Sequence, residues 1–448
     1  MKKILAILFA LLIFINTSYA KDKQVNNTKC IDSVISDSNI EKNSISITIK
    51  DLNSGKAVYS LNDKILMPPA SVQKVLTIIP SVETLGNNYE FSTKLYKRNN
   101  ETYILKLGAD PYLVSKDLNN IVKHIDENTV KKIFIDDSIV EDKSWGEGWQ
   151  WDDDMNTLMP RFNSYNLDKN IIKLSIIPTA DNPKPTIINP SKYPLVFWNN
   201  VKTGSKNDVE IKRENSFANN SLELNGTVNK PLIVSIPTNN LKRYFYIRLN
   251  DSLANRNIYL KENFTQNTVN NSDEEIFKIT HPVSNAIIDI LQNSNNMTSE
   301  TLAKLASEKA FNTTGTDINA IRNFNEYCKK NKLDNSRIRL ADASGVSKNN
   351  LVTTEFITEF LLLNKNNEVL KQLPTPGEGT LTHRMLPLKD NLRAKTGTLS
   401  DISSIAGFIT TKHNNKYAFS IIINDPSSSN YDKKTLEDYL LREVYFKL

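Results

Sequence analysis

Cysteine is nearly absent from this 448-residue chain, which contains only Cys30 and Cys328. So few cysteines exclude a disulfide-rich scaffold, in which many bridges compensate for a small hydrophobic core. Export would still allow a single bridge, and we predict a Cys30–Cys328 disulfide on that ground. Closing so long a loop would stabilise the fold by roughly 4 to 5 kcal/mol in the chain-entropy model.

Histidine is also scarce, and the absence of several motifs excludes whole enzyme classes. The four histidines lie far apart and none belongs to a His-Glu-x-x-His pattern, so a zinc peptidase is not indicated. No Gly-x-Ser-x-Gly elbow precedes a histidine, which argues against an α/β-hydrolase. Because the sequence has no arginine-rich stripe interleaved with aromatic residues, nucleic-acid binding is not expected.

The first residues of the chain have the composition of a secretory signal. Lys2 and Lys3 precede an apolar run over residues 4–15, and Ser18 and Ala20 form a small-x-small cleavage site. The run is shorter than the roughly 20 residues that span a bilayer. We therefore predict cleavage after Ala20 and export to the periplasm or extracytoplasmic wall space, with no stable membrane anchor. A retained anchor is the alternative.

The rest of the chain is long enough for two or three domains, and with 39% hydrophobic residues it can fill their cores. The formal net charge of +6 is a mild excess on a chain of this length. It suits an anionic wall polymer, although such an excess more often reflects an ordinary solvated surface.

Apolar spacing predicts α and β segments at both ends of the chain. Ser44–Lys50 alternates as a strand does, and a turn at Gly55 returns the chain along Ala57–Leu61, which indicates a hairpin. A helix is expected after Pro69, because apolar residues recur there at i, i+3, i+4 and i+7. Further helical spacing begins at Val283 and breaks at residues 293–296. Near the C-terminus we predict strands at Arg393–Leu399, Ile405–Thr411 and Tyr417–Asn424, and a helix through Leu436, Leu440 and Val444.

Between about residues 88 and 270 the sequence changes character. Short alternating segments are separated by turns rich in Asn, Asp, Pro and Lys, which predicts β-rich structure with few long helices. One helix is expected near Leu118–Ile125. The strands predicted in this block include Tyr103–Lys106, Lys132–Ile135, Ile171–Ile177 and Tyr244–Leu249.

Ser71 and Lys74 form a Ser-x-x-Lys pattern at the start of the helix expected after Pro69. Residues at i and i+3 share one helix face, so the amine lies beside the hydroxyl. A lysine shielded from water can lose its proton near neutral pH and activate a serine. Alone the pattern is weak, since about two chance matches are expected in a chain this long. The alternative is an N-capping serine beside a solvated lysine.

Two further motifs follow in order along the chain. Ser294 and Asn296 form a Ser-x-Asn motif at the predicted helix break, where side chains can point into a cleft. A Lys-Thr-Gly motif at residues 395–397 begins a predicted strand and is followed by Thr398. Ser-x-x-Lys, Ser-x-Asn and Lys-Thr-Gly are the motif set of serine β-lactamases and penicillin-binding proteins.

Both later motifs have competing copies. Ser-x-Asn recurs at Ser60, Ser164 and Ser205, and a second Lys-Thr-Gly begins at Lys202. The copy at Lys202 runs into a polar, turn-like stretch, whereas Lys395 opens a strand that leads into an apolar hairpin. Because structural context decides which motif copy is functional, we expect Lys395 to serve the site.

The segments around these motifs resemble one family. MPPASVQKVLT, ILQNSNNMTSETLAK and AKTGTLSDISSIAGFI are similar to its three motif segments. LADASGVSKNNLVT, LPTPGEGTLTHRM, FIDDSIV and GWQWDDD resemble further characteristic blocks. The family is that of the D-alanyl-D-alanine carboxypeptidases/endopeptidases, the class C low-molecular-mass penicillin-binding proteins of the penicillin-binding protein 4 type (peptidase family S13).

The resemblance implies an α+β fold with a serine β-lactamase/transpeptidase-like catalytic domain, in which an antiparallel sheet is flanked by helices. The long gap between Ser71 and Ser294 is explained by β-rich inserted domains. The predicted division is a signal peptide (1–20), the catalytic domain (21–87 and 271–448), a first inserted domain (88–165 and 250–270) and a second, β-rich inserted domain (166–249).

The resemblance also implies the roles of individual residues in acyl transfer. Ser71 is expected to be the nucleophile, Lys74 its base and Ser294 the relay of a proton to the departing amine. Asn296 is expected to bind the substrate amide. The groups expected to bind the terminal carboxylate and the oxyanion come from Lys395, Thr396, Gly397 and Thr398.

Two more residues are expected to recognise the substrate side chain, which in wall peptides often ends in both an amine and a carboxylate. Asp136, at the end of a predicted strand, would pair with the amine, and Lys348 with the carboxylate. The alternatives are that Asp136 caps a turn with Asp137 and that Lys348 is only solvated. The family usually has arginine where Lys348 stands, so bidentate recognition of a carboxylate is not expected.

The implied activity is that of a serine D,D-peptidase, a carboxypeptidase and/or endopeptidase. Its substrates would be peptidoglycan stem peptides and cross-bridges, its covalent inhibitors β-lactam antibiotics, and no metal or cofactor is implied. A serine β-lactamase or esterase on the same fold is the nearest alternative, and rapid release of a penicilloyl group would favour it. A non-catalytic wall-binding protein is the alternative of another class, but binding alone would not require Ser71 with Lys74.

Overall fold

The computed structural model describes residues 28–179, 183–213, 220–262 and 264–448, so the predicted signal peptide lies outside them. The strands are β1 (Ile45–Asp51), β2 (Ala57–Leu61), β3 (Glu90–Asn99), β4 (Thr102–Lys106), β5 (Lys132–Asp136), β6 (Ile171–Ile177), β7 (Thr186–Ile188), β8 (Val196–Thr203), β9 (Asp208–Arg213), β10 (Ser221–Val228), β11 (Leu232–Pro237), β12 (Thr265–Gln266), β13 (Glu274–Pro282), β14 (Leu392–Thr398), β15 (Ile402–Thr410) and β16 (Lys416–Asn424).

The longer helices are α1 (Gln73–Leu85), α2 (Ser115–Ile121), α3 (Leu241–Ala254), α4 (Val283–Gln292), α5 (Asn296–Phe311), α6 (Asp317–Lys330), α7 (Thr354–Leu363) and α8 (Asn430–Lys447). Residues 28–36 are also helical. Short 3₁₀ turns include Ala70–Val72 and Trp151–Met155. Within the described ranges, no helix has the length and apolar character needed to cross a membrane.

The two ends of the chain form one antiparallel sheet. Its strand order is β14-β15-β16-β1-β2, and β1 pairs with β16 from Ile45 opposite Ile423 to Asp51 opposite Tyr417. The predicted N-terminal hairpin and the three predicted C-terminal strands are thereby confirmed. The sheet brings the third motif, on β14, to its edge.

Helices cover both faces of this sheet. Apolar side chains of β15 point alternately to its two faces, so both faces need to be covered. Ile402 and Ala406 pack into a core shared with α1 and α4 to α7. Ile405 and Ile409 point the other way, into a core shared with α8 and residues 28–36. Because successive side chains of a strand face opposite sides, a strand buried on both faces reads as a nearly continuous apolar run.

The first predicted helix is confirmed as α1. Val72, Val75, Leu76 and Ile79 are each at most 1% exposed, so the apolar stripe read from the sequence is its buried face. The helix ends at Gly86, whose φ of 89° favours glycine. Helices α4, α5 and α8 likewise lie where apolar spacing predicts them.

The middle block is β-rich, as predicted. A second five-stranded sheet has the order β12-β5-β4-β3-β13, and two three-stranded sheets have the orders β11-β6-β7 and β8-β10-β9. Strands β4, β5 and β6 and helix α2 match the predicted segments. The second segment of the predicted catalytic domain begins at residue 271 and so includes β13. In the structure, however, β13 pairs with β3, which belongs to the predicted first inserted domain. The division into domains stays a prediction.

One segment of this block is predicted wrongly. Tyr244–Leu249 is expected to be a strand, but it lies inside α3. Leu241, Tyr244, Leu249 and Leu253 are buried at helical intervals, and the Asn240 side chain caps the helix by accepting from the backbone N–H of Arg243.

The predicted disulfide is also wrong. Neither Cys30 nor Cys328, both of which lie in described residues, forms a disulfide. Cys30 packs against the core beneath α8, whereas Cys328 is buried in the core around α1. The two thiols therefore serve as small core side chains in different layers of the fold.

Candidate active site

Ser71 lies in a tight turn at the N-terminal end of α1. The 3₁₀ turn Ala70–Val72 leads directly into the helix, and Ser404 Oγ on β15 donates a 2.6 Å hydrogen bond to the Pro69 carbonyl. Ala70 has a φ of 47°, in the left-handed region that residues other than glycine rarely adopt. Strained residues of this kind concentrate at active sites, where the surrounding contacts hold them in place.

Lys74 points back at the serine from the same helix. Its Nζ lies 2.8 Å from Ser71 Oγ, as the Ser-x-x-Lys spacing predicts. The buried amine also contacts Asn296 Oδ1 at 2.6 Å and the Ser344 carbonyl at 2.7 Å. Because three acceptors fix the direction of the amine, its approach to Ser71 is set jointly by α1, α5 and the loop around Ser344.

The burial of Lys74 allows its amine to act as a base. Desolvation of the ammonium lowers the pKa of Lys74 to about 7, although Asp342 and Glu300 nearby favour the charged form. An amine with a pKa near 7 is substantially neutral at physiological pH and can accept a proton there.

Ser294 and Asn296 stand at the break between α4 and α5. Ser294 has a left-handed φ of 58°, and its hydroxyl lies 2.8 Å from Lys395 Nζ. Asn296 opens α5: its Oδ1 accepts from Lys74, and its Nδ2 donates to the Leu158 carbonyl at 2.8 Å. One asparagine thus joins the amine of Lys74 to the chain segment on the far side of the cleft.

The third motif lies on β14, at the edge of the central sheet. Lys395 is fully buried, and its Nζ donates to Ser294 Oγ and to the Thr396 carbonyl, each at 2.8 Å. Burial and the nearby Lys74 lower the pKa of Lys395 well below its ordinary value. Thr396 Oγ1 and Thr380 Oγ1 share a 2.8 Å hydrogen bond.

Gly397 allows β14 to approach the turn that carries Ser71. A Cβ atom on Gly397 would lie 2.7 Å from Ser71 N and 2.4 Å from Ser404 Oγ, both too close for any side chain. The strand therefore ends, at Thr398, beside the backbone of Ser71. Ser71 and Thr398 both line the cleft, and backbone N–H groups from two such neighbouring segments would be suited to stabilise an oxyanion.

A pocket of about 240 Å³ opens at Ser71. Asn296 and Thr398 line it on the side of the motifs, and residues 148–159, from the middle block, line the opposite side. Lys348 lies in the pocket as well. The residues of all three motifs are therefore brought together around one cleft large enough for a peptide end.

The chain matches a known family of proteins. Residues 27–442 match the model of the D-Ala-D-Ala carboxypeptidase 3 (S13) family. The chain belongs to this family. It is accordingly a serine D,D-peptidase of peptidoglycan, as its motif segments indicate.

Individual relatives cover most of the chain. D-alanyl-D-alanine carboxypeptidase DacB of Haemophilus influenzae is 23% identical over 426 residues, which cover 88% of each chain. The D-alanyl-D-alanine carboxypeptidase of an Actinomadura species is 22% identical over 439 residues, which cover 89% of this chain and 80% of the relative. The crystal structure of penicillin binding protein 4 from Haemophilus influenzae matches with a TM-score of 0.79 at 22% identity, over 90% of this chain and 96% of that chain. The predicted α+β fold with inserted domains is thereby confirmed.

Of the two residues expected to recognise the substrate side chain, Lys348 reaches the site of this S13-family peptidase. Its Nζ forms a 2.8 Å ion pair with Asp401, and both side chains are partly exposed. An acidic residue, Asp153, lines the same pocket. Desolvation and the neighbouring Asp152 raise the pKa of Asp153, while Lys348 opposes the shift.

Asp136 is not among the residues that line this pocket. It is 2% exposed, and its Oδ1 accepts from the backbone N–H and the hydroxyl of Ser138 at 3.2 and 2.6 Å. Its Oδ2 accepts from the Val269 N–H at 3.0 Å. The carboxylate therefore caps a turn at the end of β5 and joins it to the chain after β12.

The second Lys-Thr-Gly copy lies in another sheet. Lys202 is an exposed residue of β8, which pairs with β10 in the middle block. It does not line the pocket at Ser71.

Two acidic residues of the site have roles that the sequence does not reveal. Asp342 shapes the loop that follows it: its Oδ1 accepts from Gly345 N at 2.7 Å and its Oδ2 from Ser347 N at 2.7 Å. Glu300 is buried one helical turn beyond Asn296 on α5. A run of polar residues at i, i+4 and i+8 places Asn296, Glu300 and Lys304 on one side of α5, but it does not show which group Glu300 contacts.

Proposed function

We propose that the chain is exported and cuts D-alanyl-D-alanine ends or cross-bridges of peptidoglycan peptides through an acyl-enzyme on Ser71. The observation that supports this most is the buried Lys74 amine, 2.8 Å from Ser71 Oγ and with a pKa lowered to about 7. A serine hydroxyl becomes a useful nucleophile only when such a base lies within hydrogen-bonding reach.

Acylation begins when Lys74 takes the proton of Ser71 and the oxygen attacks the carbonyl of the penultimate D-alanine. The charge that develops on the carbonyl oxygen is met by the backbone N–H groups of Ser71 and Thr398. One such donor typically contributes about 3 kcal/mol of transition-state stabilisation. Ser294 relays a proton to the departing amine, and Asn296 binds the substrate amide.

The terminal carboxylate of the substrate is bound by the third motif. Lys395 supplies charge and Thr396 a hydroxyl, so the contact is charge-assisted. Burial disfavours the ammonium of Lys395 in the empty cleft, and an incoming carboxylate favours it again. When the D-alanine has left, water attacks the acyl group and restores Ser71.

The side chain next to the D-alanines is recognised by the far side of the pocket. In wall peptides this side chain often ends in an amine and a carboxylate. Asp153, which lines the pocket, accepts from the amine, and Lys348, which pairs with Asp401, binds the carboxylate. Asp153 thus takes the role expected of Asp136.

β-lactam antibiotics would acylate the same serine. Penicillin binding protein 4 of Haemophilus influenzae, which has this fold, has been crystallised with a β-lactam. A β-lactam offers a strained amide and a carboxylate to the same groups, Ser71 and Lys395. We expect the adduct to persist because the amine released from the opened ring stays attached to the acyl group and blocks the approach of water, whereas D-alanine leaves the site.

The test is intact-mass measurement during incubation with benzylpenicillin, followed by peptide mapping. We expect one penicilloyl group on Ser71 that persists for minutes or longer, and none on Ser71→Ala. An adduct on another residue, or labelling of Ser71→Ala, would show that the site is misassigned. Rapid release of the group would instead indicate a β-lactamase.

A further inference from the structure

Glu300 is a buried carboxylic acid that the proposed mechanism does not use. It lies four residues after Asn296 on α5, so both side chains project from one face of the helix, and it is 3% exposed. Asn296 contacts Lys74 directly. Glu300 is linked to the same amine through one residue of a neighbouring loop.

That residue is Ser344. Glu300 Oε1 accepts from the Ser344 N–H at 2.8 Å, and both carboxylate oxygens lie 3.1 Å from the Ala343 N–H. The Ser344 carbonyl in turn accepts from Lys74 Nζ at 2.7 Å. The Glu300 carboxylate therefore fixes the position of Ser344, and the Ser344 carbonyl in turn fixes the Lys74 amine.

The loop held in this way also touches the turn that carries Ser71. A Cβ atom on Gly345 would lie 1.9 Å from the Ala70 carbonyl, so the loop backbone is packed directly against that turn. Thr77 and Ser299 each donate to the Ala343 carbonyl, at 2.7 and 3.1 Å. A displacement of the loop would change the position of the amine and of the serine together.

Several titratable groups face Glu300 and Lys74. Lys74 faces Asp342 and Glu300, which favour its charged form, and it lies near Lys395, which is of like charge. Glu300 faces Asp342 and, further along, Asp317. Burial and these two acids raise the pKa of Glu300 to about 8. Because Glu300 favours the charged form of Lys74, a charged Lys74 equally favours the carboxylate, and the two groups titrate as a coupled pair.

Beyond Glu300 the buried polar face of α5 continues to Lys304. Lys304 Nζ pairs with Asp317 at 3.0 Å and with Glu141 at 3.2 Å. The charge of Asp317 is therefore balanced locally. Asp342 also favours the charged form of Lys74, but it belongs to the loop and accepts from the N–H groups of that loop, whereas Glu300 reaches the loop from α5.

We propose that Glu300 is a positioning residue for acyl transfer: through Ser344 it fixes Lys74 against Ser71, and its charge sets the pH range in which Lys74 is neutral. The inference rests on the proposed function of Ser71 and Lys74. It adds a group that touches neither substrate nor serine.

Two variants separate the hydrogen bonds from the charge. Glu300→Gln keeps an acceptor oxygen for the loop but removes the charge, and a lysine without a nearby anion loses its proton more easily. Its acylation by benzylpenicillin should approach the wild-type rate above about pH 8. The acid limb, the part of the pH–rate profile in which the rate falls as the pH is lowered, should move to lower pH by about half a unit or more. Glu300→Ala removes both contributions and should acylate about tenfold or more slowly at every pH.

Glu308→Gln is the matched control, because it removes an acid from the same helix about 12 Å further along the axis. It should reproduce the wild-type rate and pH profile. An acid limb in Glu300→Gln that coincides with that of Glu308→Gln, or moves to higher pH, would overturn the proposal. If Glu300→Ala does not fold, the pH profile of Glu300→Gln alone decides whether the proposal holds. Wild-type protein that is not acylated on Ser71 would refute the proposed function instead, so the two failures are distinguishable.

Discussion

At the scale of single residues, the cleft contains two buried lysines with opposite tasks. Lys74 must be neutral to take a proton, whereas Lys395 must be charged to hold a carboxylate. Burial lowers the pKa of both, and Lys74 is close enough to Lys395 to disfavour a positive charge there as well. A substrate carboxylate that binds beside Lys395 compensates its charge, so the proton is kept there and Lys74 stays free to act as the base.

The rate of acylation should therefore depend on pH through Lys74. Below a pKa of about 7 the amine is protonated and cannot accept from Ser71, so the rate should fall about tenfold for each further pH unit. Above that pKa the rate should level off. The measurement is the second-order rate constant for benzylpenicillin between about pH 5.5 and pH 8.5. A rate that stays constant across this range would show that Lys74 is not the base.

At the scale of secondary-structure elements, acylation depends on how closely β14 approaches the 3₁₀ turn that carries Ser71. Gly397→Ala places a methyl group 2.7 Å from Ser71 N and 2.4 Å from Ser404 Oγ, so the strand must move away from Ser71. We expect acylation to slow by about a hundredfold, the cost of losing one oxyanion donor.

Gly204→Ala is the control, because Gly204 ends the second Lys-Thr-Gly copy. Its added Cβ would crowd only Thr227, on β10 of the middle block, at 2.8 Å. Acylation should remain at the wild-type rate even if the melting temperature falls. Equal losses from both glycine variants would mean that the copy at Lys202 also serves the site.

The same scale explains what the sequence could and could not predict. The strands buried on both faces are long apolar segments, and α1 has a regular apolar stripe. The sequence pattern therefore predicts β14 to β16 and α1 correctly. Tyr244–Leu249 is too short to distinguish a period of two from a helical period, and the Asn240 cap that decides it lies outside the window. The role of Glu300 depends on a contact with a loop more than 40 residues away, which spacing within α5 cannot reveal.

At the scale of the whole molecule, the middle block does more than separate two motifs. Ser71 and Ser294 flank the block in sequence, but both lie at the cleft through their contacts with the two lysines. The block returns to that cleft as residues 148–159, which form its far side. Asp154 in this segment forms a 3.0 Å ion pair with Arg213 of β9, so a three-stranded sheet of the block supports the wall of the pocket.

A wall built in this way should select the substrate and leave the acylation chemistry alone. Asp153 faces the pocket, whereas the neighbouring Asp152 is exposed outside it. A charge-assisted contact in a partly shielded cleft contributes roughly 1.5 to 3 kcal/mol, which corresponds to about a ten- to hundredfold change in specificity. Asp153→Asn should therefore lower kcat/KM by that factor for a peptide with a free side-chain amine. Its acylation by benzylpenicillin, which has no amine, should stay close to the wild-type rate, and Asp152→Asn should change neither activity. If Asp153→Asn loses both activities equally, the wall acts on the geometry of Ser71 and not on the substrate. If it loses neither, the amine is bound by a residue outside this pocket.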